Sequence, residues 1–143
     1  MKTEQLSIFV ENRPGRLAEV AAVLAANGID LRALSLADTV DFGIIRLIVN
    51  KPEAAKEALK KEGFRADVTD VLVVEVPDHP GSLSKVLAAF AAADINVEYM
   101  YAFVSKEGGG AKMIFRLDDI DRAIEVFPPE AGRLIPAENV YNM

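Results

Sequence analysis

Apolar residues recur along this chain with two different periods, and the change of period divides it into strands and helices. Every second residue of 6–10 is aliphatic, which predicts a strand. From Arg16 to Asn27, apolar residues fall at i, i+3, i+4 and i+7, so we predict a helix with one buried stripe that ends at Gly28. The first half of the chain is thereby divided into β-α-β-β-α-β, with elements over 6–10, 16–27, 29–37, 42–49, 52–61 and 64–69.

The second half repeats this order. A strand, a helix and two strands are predicted over 71–76, 82–93, 95–104 and 111–117, with a glycine-rich turn over 106–110. A further helix is capped by Asp118 or Asp119 and ends before Pro128. The last strand is predicted over 133–141.

One turn sequence occurs twice, with its prolines 66 residues apart. The two copies are Asn12-Arg13-Pro14-Gly15-Arg16-Leu17 and Asp78-His79-Pro80-Gly81-Ser82-Leu83. Eight residues are identical between 12–34 and 78–100, which indicates a duplicated unit and two domains, 1–70 and 71–143. Because a β-α-β-β-α-β unit forms a four-stranded antiparallel sheet with both helices on one face, the predicted fold class is α+β.

Composition narrows the classes of function. The 143 residues include 16 basic and 22 acidic side chains, for a net charge of −6, so nucleic acid and an anionic membrane surface are disfavoured as partners. The absence of cysteine excludes disulfides, thiolate metal sites and a cysteine nucleophile. The N-terminus lacks the apolar core of a signal peptide, and no apolar run approaches the ~20 residues of a membrane span. We therefore expect a cytoplasmic protein.

The repeated turn has the chemistry of an anion site. Pro14 and Pro80 fix φ at about −65°, while Gly15 and Gly81 lack a Cβ, so that a ligand or another backbone can approach closely. The first N–H groups of each following helix lack intrahelical partners and carry partial positive charge. The carboxylate of a free amino acid would fit there.

An amino acid also carries an ammonium group, which needs oxygen acceptors. Asn12 and Asp78 precede the two Pro-Gly turns, and Asp30 and Asn96 begin each second strand, where we expect them to lie beside the turn. Each half then offers one amide and one carboxylate. Structural roles remain open for the same residues, because Asx side chains often satisfy turn backbone and Asp30 and Asn96 can cap the helix-to-strand turn.

The charged and polar neighbours of these residues also leave two interpretations each. Arg13 and Arg16 either pair with a ligand carboxylate, or are solvated or bridge to nearby glutamates. His79, the single histidine, fits an exposed loop better than a metal site. Ser82 fits a helix start better than a nucleophile, because no histidine–carboxylate pattern accompanies it.

The context of both turns resembles that of ACT domains, the small amino-acid-sensing modules of metabolic regulation. The resemblance rests on a strand, Asn/Asp-x-Pro-Gly-x-Leu, a helix, and then Gly-Ile-Asp-Leu or Asp-Ile-Asn-Val. It covers essentially the whole chain and implies a stand-alone tandem ACT protein. Its two ferredoxin-like units would pair into a continuous antiparallel sheet with helices on one face, and would bind ligand where two ACT units meet. The ligand-binding residues implied are Asn12, Arg13, Pro14, Gly15, Arg16, Leu17, Asp30, Leu31, Asp78, His79, Pro80, Gly81, Ser82, Leu83, Asn96, Val97 and Tyr99.

The predicted function is therefore regulatory amino-acid binding, with no enzyme activity, no cofactor and no metal. As partners we expect a free amino acid as effector, a second copy in a homodimer or higher homo-oligomer, and a metabolic enzyme or transporter. Two alternatives stay open: a small ferredoxin-like enzyme of the acylphosphatase or mutase type, and an oligomerisation module that binds no ligand.

The second half differs from the first in one strand. Tyr99, Tyr101 and Phe103 share one face of that strand, with Met100 and Ala102 on the other. Either loops of the chain cover the aromatic face, or sheets of two copies stack through it. If both turns form pockets, the pocket beside the aromatic strand is expected to be the tighter.

Overall fold

The computed structural model of the protein describes residues 1–38, 41–103 and 110–143. Its elements, in chain order, are β1 (Lys2–Glu11), α1 (Arg16–Ala26), β2 (Leu31–Asp38), β3 (Phe42–Val49), α2 (Pro52–Lys61), β4 (Arg65–Val76), α3 (Ser82–Ala92), β5 (Val97–Ala102), β6 (Ala111–Leu117), α4 (Ile120–Val126), β7 (Arg133–Leu134) and α5 (Ala137–Tyr141). The strands predicted over 64–69 and 71–76 form one strand, β4, because no glycine or proline interrupts it. No helix within the described ranges is long and apolar enough to cross a membrane.

Residue contacts divide the chain into two compact units. The N-terminal unit comprises Glu4–Thr69 with Tyr141–Met143, and the C-terminal unit comprises Asp70–Val140 with Met1–Thr3. Three residues at each end of the chain thus belong to the unit that is built mainly from the other half. The domain limits 1–70 and 71–143 stay a prediction.

In the N-terminal unit, β3 is antiparallel to β1 on one side and to β2 on the other. Alternate residues of β1 and β3 pack with α1 and α2 in one cluster, so both helices lie on the same face of these strands. Burying each such aliphatic side chain is worth about 1.5–3 kcal/mol. The cluster includes Leu6, Ile8, Val10, Val20, Leu24, Ile45, Leu47, Val49, Ala55 and Leu59.

The C-terminal unit has the strand order β5-β6-β4-β7, with every pair antiparallel. This is the order of a ferredoxin-like unit, and it confirms the α+β class. Phe90 of α3 meets Phe115 of β6 edge to face, with ring centroids 5.5 Å apart, a geometry that aromatic quadrupoles favour. The helix-side core here includes Leu72, Val74, Val76, Val86, Phe90, Phe115, Leu117 and Ala123.

The strand predicted over 133–141 is wrong beyond its first two residues. After β7 the chain turns into α5, and the carbonyl of Pro136 accepts hydrogen bonds from the N–H groups of Asn139 and Val140. Proline lacks the N–H that a strand ladder needs and its φ suits a helix start. The apolar residues of 133–141 are therefore divided between a short strand, β7, and a short helix, α5.

The aromatic strand is described up to Phe103, and most of the predicted turn over 106–110 lies outside the described residues. Met100 packs against the helix-side core, whereas Tyr99, Tyr101 and Phe103 are half-buried. Stacking of two copies through the aromatic face stays a prediction.

Candidate functional site

The two Pro-Gly turns have the same backbone hydrogen bonds. In the first, the N–H of Arg13 donates to the carbonyl of Glu11 at 2.9 Å, and the N–H of Glu19 donates to the carbonyl of Gly15 at 2.9 Å. The second has the corresponding bonds from His79 to Pro77 at 3.0 Å and from Lys85 to Gly81 at 3.2 Å. The sequence repeat is therefore a repeat of local geometry.

Glycine is required in both turns by the backbone angle. Gly15 has φ 90° and Gly81 has φ 91°, in the left-handed region that other residues reach only at a cost. A Cβ built on either glycine would meet no heavy atom within 4 Å. The sequence predicted that a ligand or another backbone segment approaches these two glycines closely. No group within the described residues does so.

Each of these glycines is the N-cap of a helix, α1 or α3. In the part of the chain that is described, no side chain caps either helix start. The first N–H of each helix is engaged, since Arg16 donates to the carbonyl of Arg13 at 3.4 Å and Ser82 donates to the carbonyl of His79 at 3.3 Å. The N–H groups that follow in the first turn keep their donor capacity, beside the positive end of the helix dipole. Both turns can accordingly bind an anion through backbone groups.

The first turn carries a compact set of charges. The Nε of Arg16 lies 2.6 Å from Glu11, its Nη1 pairs with Glu19, and its guanidinium lies 4.6 Å from the ring centroid of Phe64. Arg13 is more exposed, and its Nε lies 3.8 Å from Glu11. Of the two interpretations of Arg16, bridging to glutamates is the one that the structure shows.

These contacts shift the protonation of both partners. The pKa of Glu11 lies below its ordinary value of 4.5, through hydrogen bonding with its own backbone first and then through the charges of Arg16 and Arg13, which together outweigh desolvation. Desolvation acts to lower the pKa of Arg16, but the hydrogen bond to Glu19 and the charges of both glutamates outweigh it and raise the pKa. The pair is ionised at neutral pH.

The second turn has a histidine–serine pair in place of this cluster. Ser82 occupies the position of Arg16, is 4% exposed, and has its Oγ 3.1 Å from the Nδ1 of His79. The same Nδ1 lies 3.4 Å from the carbonyl oxygen of Pro80. Leu83 packs against the core, whereas its counterpart Leu17 is 41% exposed. The two turns thus share a backbone but present different side chains.

Asp30 and Asn96 each form a reciprocal pair with a residue that follows the third strand of their unit. The N–H of Asp30 donates to the Oδ1 of Asn50 at 3.0 Å, and the N–H of Asn50 donates back to the carbonyl of Asp30 at 3.1 Å. Asn96 and Asp118 make the same two bonds at 2.9 and 3.2 Å. The N-cap of α2 is Lys51, and Asp119 rather than Asp118 caps α4.

The expectation that Asp30 lies beside the first turn of its own unit is wrong. Glu11, which leads into the turn, lies opposite Phe42 at one end of β3, whereas Leu31 lies opposite Val49 at the other end. The interval along β3 from Phe42 to Val49 corresponds to about 23 Å. β1 and β2 run in the same direction, because both are antiparallel to β3, and α1 returns the chain from the turn to the end where β1 began. The second strand therefore begins far from the turn.

The same holds in the C-terminal unit. Val76, before the second turn, lies opposite Ala111, and Val97, next to Asn96, lies opposite Leu117 at the far end of β6. Half-buried Tyr99, opposite Arg116, also lies toward that end. Within each unit, the predicted site residues of the Pro-Gly turn therefore lie together. The predicted site residues at the start of the second strand lie at the opposite end of the sheet.

One side chain that the sequence did not single out, that of Arg32, contacts Asp30. Arg32 donates from Nη1 to the Asp30 carboxylate at 3.0 Å and from Nε to the carbonyl of Tyr141 at 3.0 Å. The hydroxyl of Tyr141 accepts from the N–H of Glu4 at 2.7 Å. Arg32 has no counterpart at the aligned position of the repeat, where Glu98 stands, so the repeat pattern could not have revealed it.

A shallow cleft of about 350 Å³ lies beside the entry to the second turn. Its lining residues are Glu75, Val76, Pro77, Gly132 and Arg133. The charges within it are paired, with the Nη2 of Arg133 2.9 Å from Glu75. The volume is at the lower end of the range of ligand pockets.

The whole chain, residues 1–143, matches the family model described as an ACT domain pair. The chain belongs to the ACT domain pair family. The resemblance drawn from the two turns is thereby confirmed.

Solved structures share the fold of this chain. The crystal structure of protein BT0572 from Bacteroides thetaiotaomicron is 41% identical, with a TM-score of 0.92, and the match covers 100% of this chain and 98% of that one. The search of curated proteins found no match.

Two more distant structures share the ACT pair fold. The ligand-free regulatory subunit of aspartate kinase from Thermus thermophilus is 20% identical over 86% of this chain and 89% of that one, with a TM-score of 0.60. The regulatory subunit from Thermus flavus is 18% identical over 99% and 92%, with a TM-score of 0.62. At these identities the likeness concerns the fold.

Proposed function

We propose that this ACT domain pair is a regulatory protein that binds a free amino acid and is not itself an enzyme. The observation that carries the proposal is the paired turn: two glycines at φ 90° and 91°, each opening a helix, in a chain that belongs to a family of amino-acid-sensing modules. The regulatory subunits among its structural neighbours support a regulatory role.

The carboxylate of the amino acid binds, in this proposal, to the remaining first-turn N–H groups of α1 or α3, where the helix dipole favours negative charge. Side chains that precede the turns, Asn12 and Asp78, offer oxygen acceptors for the ammonium group. Because Asp30 and Asn96 lie at the far ends of their own units, they can contribute only to a turn of a different unit.

The two turns are expected to differ in selectivity. Near the first turn, a ligand meets the ionised cluster of Arg16 with Glu11 and Glu19. Near the second turn, it meets the hydrogen-bonded pair of His79 and Ser82. The ligand shifts the protein between states only through its differential affinity for them. In this proposal, the ligand-bound state binds a partner enzyme or transporter and changes its activity.

The test is thermal unfolding of the protein with each of the twenty amino acids at a few millimolar. A ligand that binds only the native state at a hundredfold excess over Kd adds about 2.7 kcal/mol of stability, which corresponds to a shift of the thermal midpoint of roughly 5–11 °C for a chain of about this size. We expect one amino acid, or one chemical class, to raise the midpoint.

Matched variants assign the effect to a turn. Asn12→Ala and Asp78→Ala remove one acceptor each from an exposed position, and we expect at least one of them to weaken the shift. A flat panel, recorded with protein refolded free of carried-over ligand, would contradict amino-acid binding and favour the oligomerisation module.

A further inference from the structure

A row of alternating charges crosses three neighbouring strands of the C-terminal unit. Glu75 on β4 lies opposite Lys112 on β6 at one side and opposite Arg133 on β7 at the other. Directly opposed residues of antiparallel strands share a face of the sheet. Because Val74 and Val76, which flank Glu75, pack in the helix-side core, the row lies on the opposite face. Its order is positive, negative, positive.

The composition of this unit does not explain such a row. Residues 70–140 contain 12 acidic and 6 basic side chains, yet two of the basic ones stand on either side of a single carboxylate. Neighbouring strands lie about 4.8 Å apart, so both cationic side chains can reach over the strand between them. The row is a local excess of positive charge on an acidic unit.

The charges of the row are only partly engaged with one another. The Nη2 of Arg133 donates to the Oε2 of Glu75 at 2.9 Å, and the Arg133 side chain is 71% exposed, so that its other N–H groups face solvent. The Oε1 of Glu75 accepts no hydrogen bond from the described residues, and this side chain is 20% exposed. Lys112 is half-buried and forms no ion pair within the described ranges. One acceptor and two cationic groups therefore remain for a ligand.

The row borders the cleft of about 350 Å³ at the entry to the second turn. Glu75 and Arg133 line this cleft, together with Pro77 and Gly132. A Cβ on Gly132 would lie 2.4 Å from the carbonyl oxygen of Glu75, so glycine lets β7 approach β4 without adding a side chain to the cleft. The volume suits a small ligand.

We infer that this cleft binds a free acidic amino acid, aspartate or glutamate. The α-carboxylate of the ligand binds the guanidinium of Arg133, its ammonium group binds the Oε1 of Glu75, and its side-chain carboxylate binds the Nζ of Lys112. The ligand thus presents negative, positive and negative groups to a row of positive, negative and positive ones. Each contact is charge-assisted, which makes it stronger than a hydrogen bond between neutral groups.

The inference rests on the proposed function in that the ligand is a free amino acid. It differs in the place of binding, because the cleft lies beside the second turn and uses side chains of three strands. The N–H groups of α1 and α3 take no part in it. Variants of the cleft and variants of the turns therefore test the two separately.

Titration calorimetry with L-aspartate and L-glutamate at pH 7 and constant ionic strength tests the site. We expect saturable binding to the wild type, and binding weaker by about tenfold or more in Arg133→Gln and in Lys112→Gln, since each variant loses one hydrogen bond between charged groups. The matched control is Arg122→Gln, which removes an exposed arginine with a glutamate partner at 3.5 Å on α4. It should bind as the wild type does. Circular dichroism checks that every variant is folded.

Two further ligands assign the contacts one by one. L-Asparagine replaces the side-chain carboxylate with an amide, and we expect it to bind about tenfold more weakly than L-aspartate to the wild type but equally to Lys112→Gln. Succinate lacks the ammonium group, and we expect its disadvantage against L-aspartate to disappear in Glu75→Gln. A merely structural role of these side chains would change the affinities for all the ligands alike, and that result would overturn the inference.

The remaining outcomes separate this inference from the proposed function. No saturable binding of either acidic amino acid at up to about 10 mM, above typical metabolite levels, would overturn the inference, whereas a neutral amino acid that raises the thermal midpoint would still support the proposed function. Binding that is lost in Asn12→Ala or Asp78→Ala but kept in Arg133→Gln would place the acidic ligand at a turn and overturn the inference. Binding that is lost in the cleft variants and kept in the turn variants would support it.

Discussion

Single residues set the geometry of the turns, and Gly81 can be tested directly. We expect Gly81→Ala to fold and to lose about 1–2 kcal/mol of unfolding free energy, because φ 91° is unfavourable for a residue with a Cβ while the space around it is open. Urea denaturation measures the loss. Gly43→Ala is the matched control: its φ is not in the left-handed region and the nearest atom to the added Cβ is at 3.4 Å. An equal loss in both variants would contradict the explanation.

Glu11 gives the first turn a dependence on pH. Its folded-state pKa is lowered from 4.5, so its stabilising contribution is complete above that value and is lost as pH falls through the lower folded-state pKa. We expect Glu11→Gln to be slightly less stable than the wild type at pH 7, and the difference to shrink at a pH below the folded-state pKa. Thermal midpoints at both pH values measure this. A difference that persists or grows in acid would show that the charge is not the cause.

At the scale of elements, two adjacent aspartates hold different structures in place. Asp119 accepts from the N–H of Arg122 at 3.0 Å as the cap of α4, and Asp118 accepts from the N–H of Asn96 at 2.9 Å before β5. We expect Asp119→Ala to cost about 0.5–2 kcal/mol and to increase amide exchange in α4. Asp118→Ala should cost a similar amount but expose the Asn96 amide. Hydrogen exchange distinguishes the two patterns, and identical patterns would contradict these separate roles.

Element type was predictable where periodicity was long. The helices α1 and α3 and the strands β1 and β6 follow from the spacing of apolar residues, because burial on one face imposes the period of the element. The prediction of a strand over 133–141 failed for the converse reason. The apolar residues there are few, and Pro136 determines the conformation.

At the scale of the whole molecule, the last residues of the chain stabilise its beginning. Tyr141 belongs to the N-terminal unit, where its hydroxyl accepts from the N–H of Glu4 at 2.7 Å and its carbonyl accepts from Arg32. We expect Tyr141→Phe to cost about 1–2 kcal/mol, since it leaves a partly buried donor without its acceptor. Hydrogen exchange at the Glu4 amide should increase. Unchanged protection of that amide would contradict the role of the hydroxyl.

Sequence by itself determined the duplicated strand–turn–helix plan, the positions of both glycines and the family. These features depend on local periodicity and on backbone angles that few residues tolerate. Both constraints directly limit which residue types occur at each position. The turn chemistry was therefore found before the fold.

Tertiary structure alone decided which of the predicted site residues lie together. Strand direction puts Asp30 and Asn96 far from the turns of their own units, and the charge of Arg16 is already engaged by Glu11 and Glu19. Such contacts join residues through sheet register and side-chain reach rather than through spacing along the chain. The pairing of Tyr141 with Glu4, 137 positions away, has the same origin, because only the folded chain brings its two ends into contact.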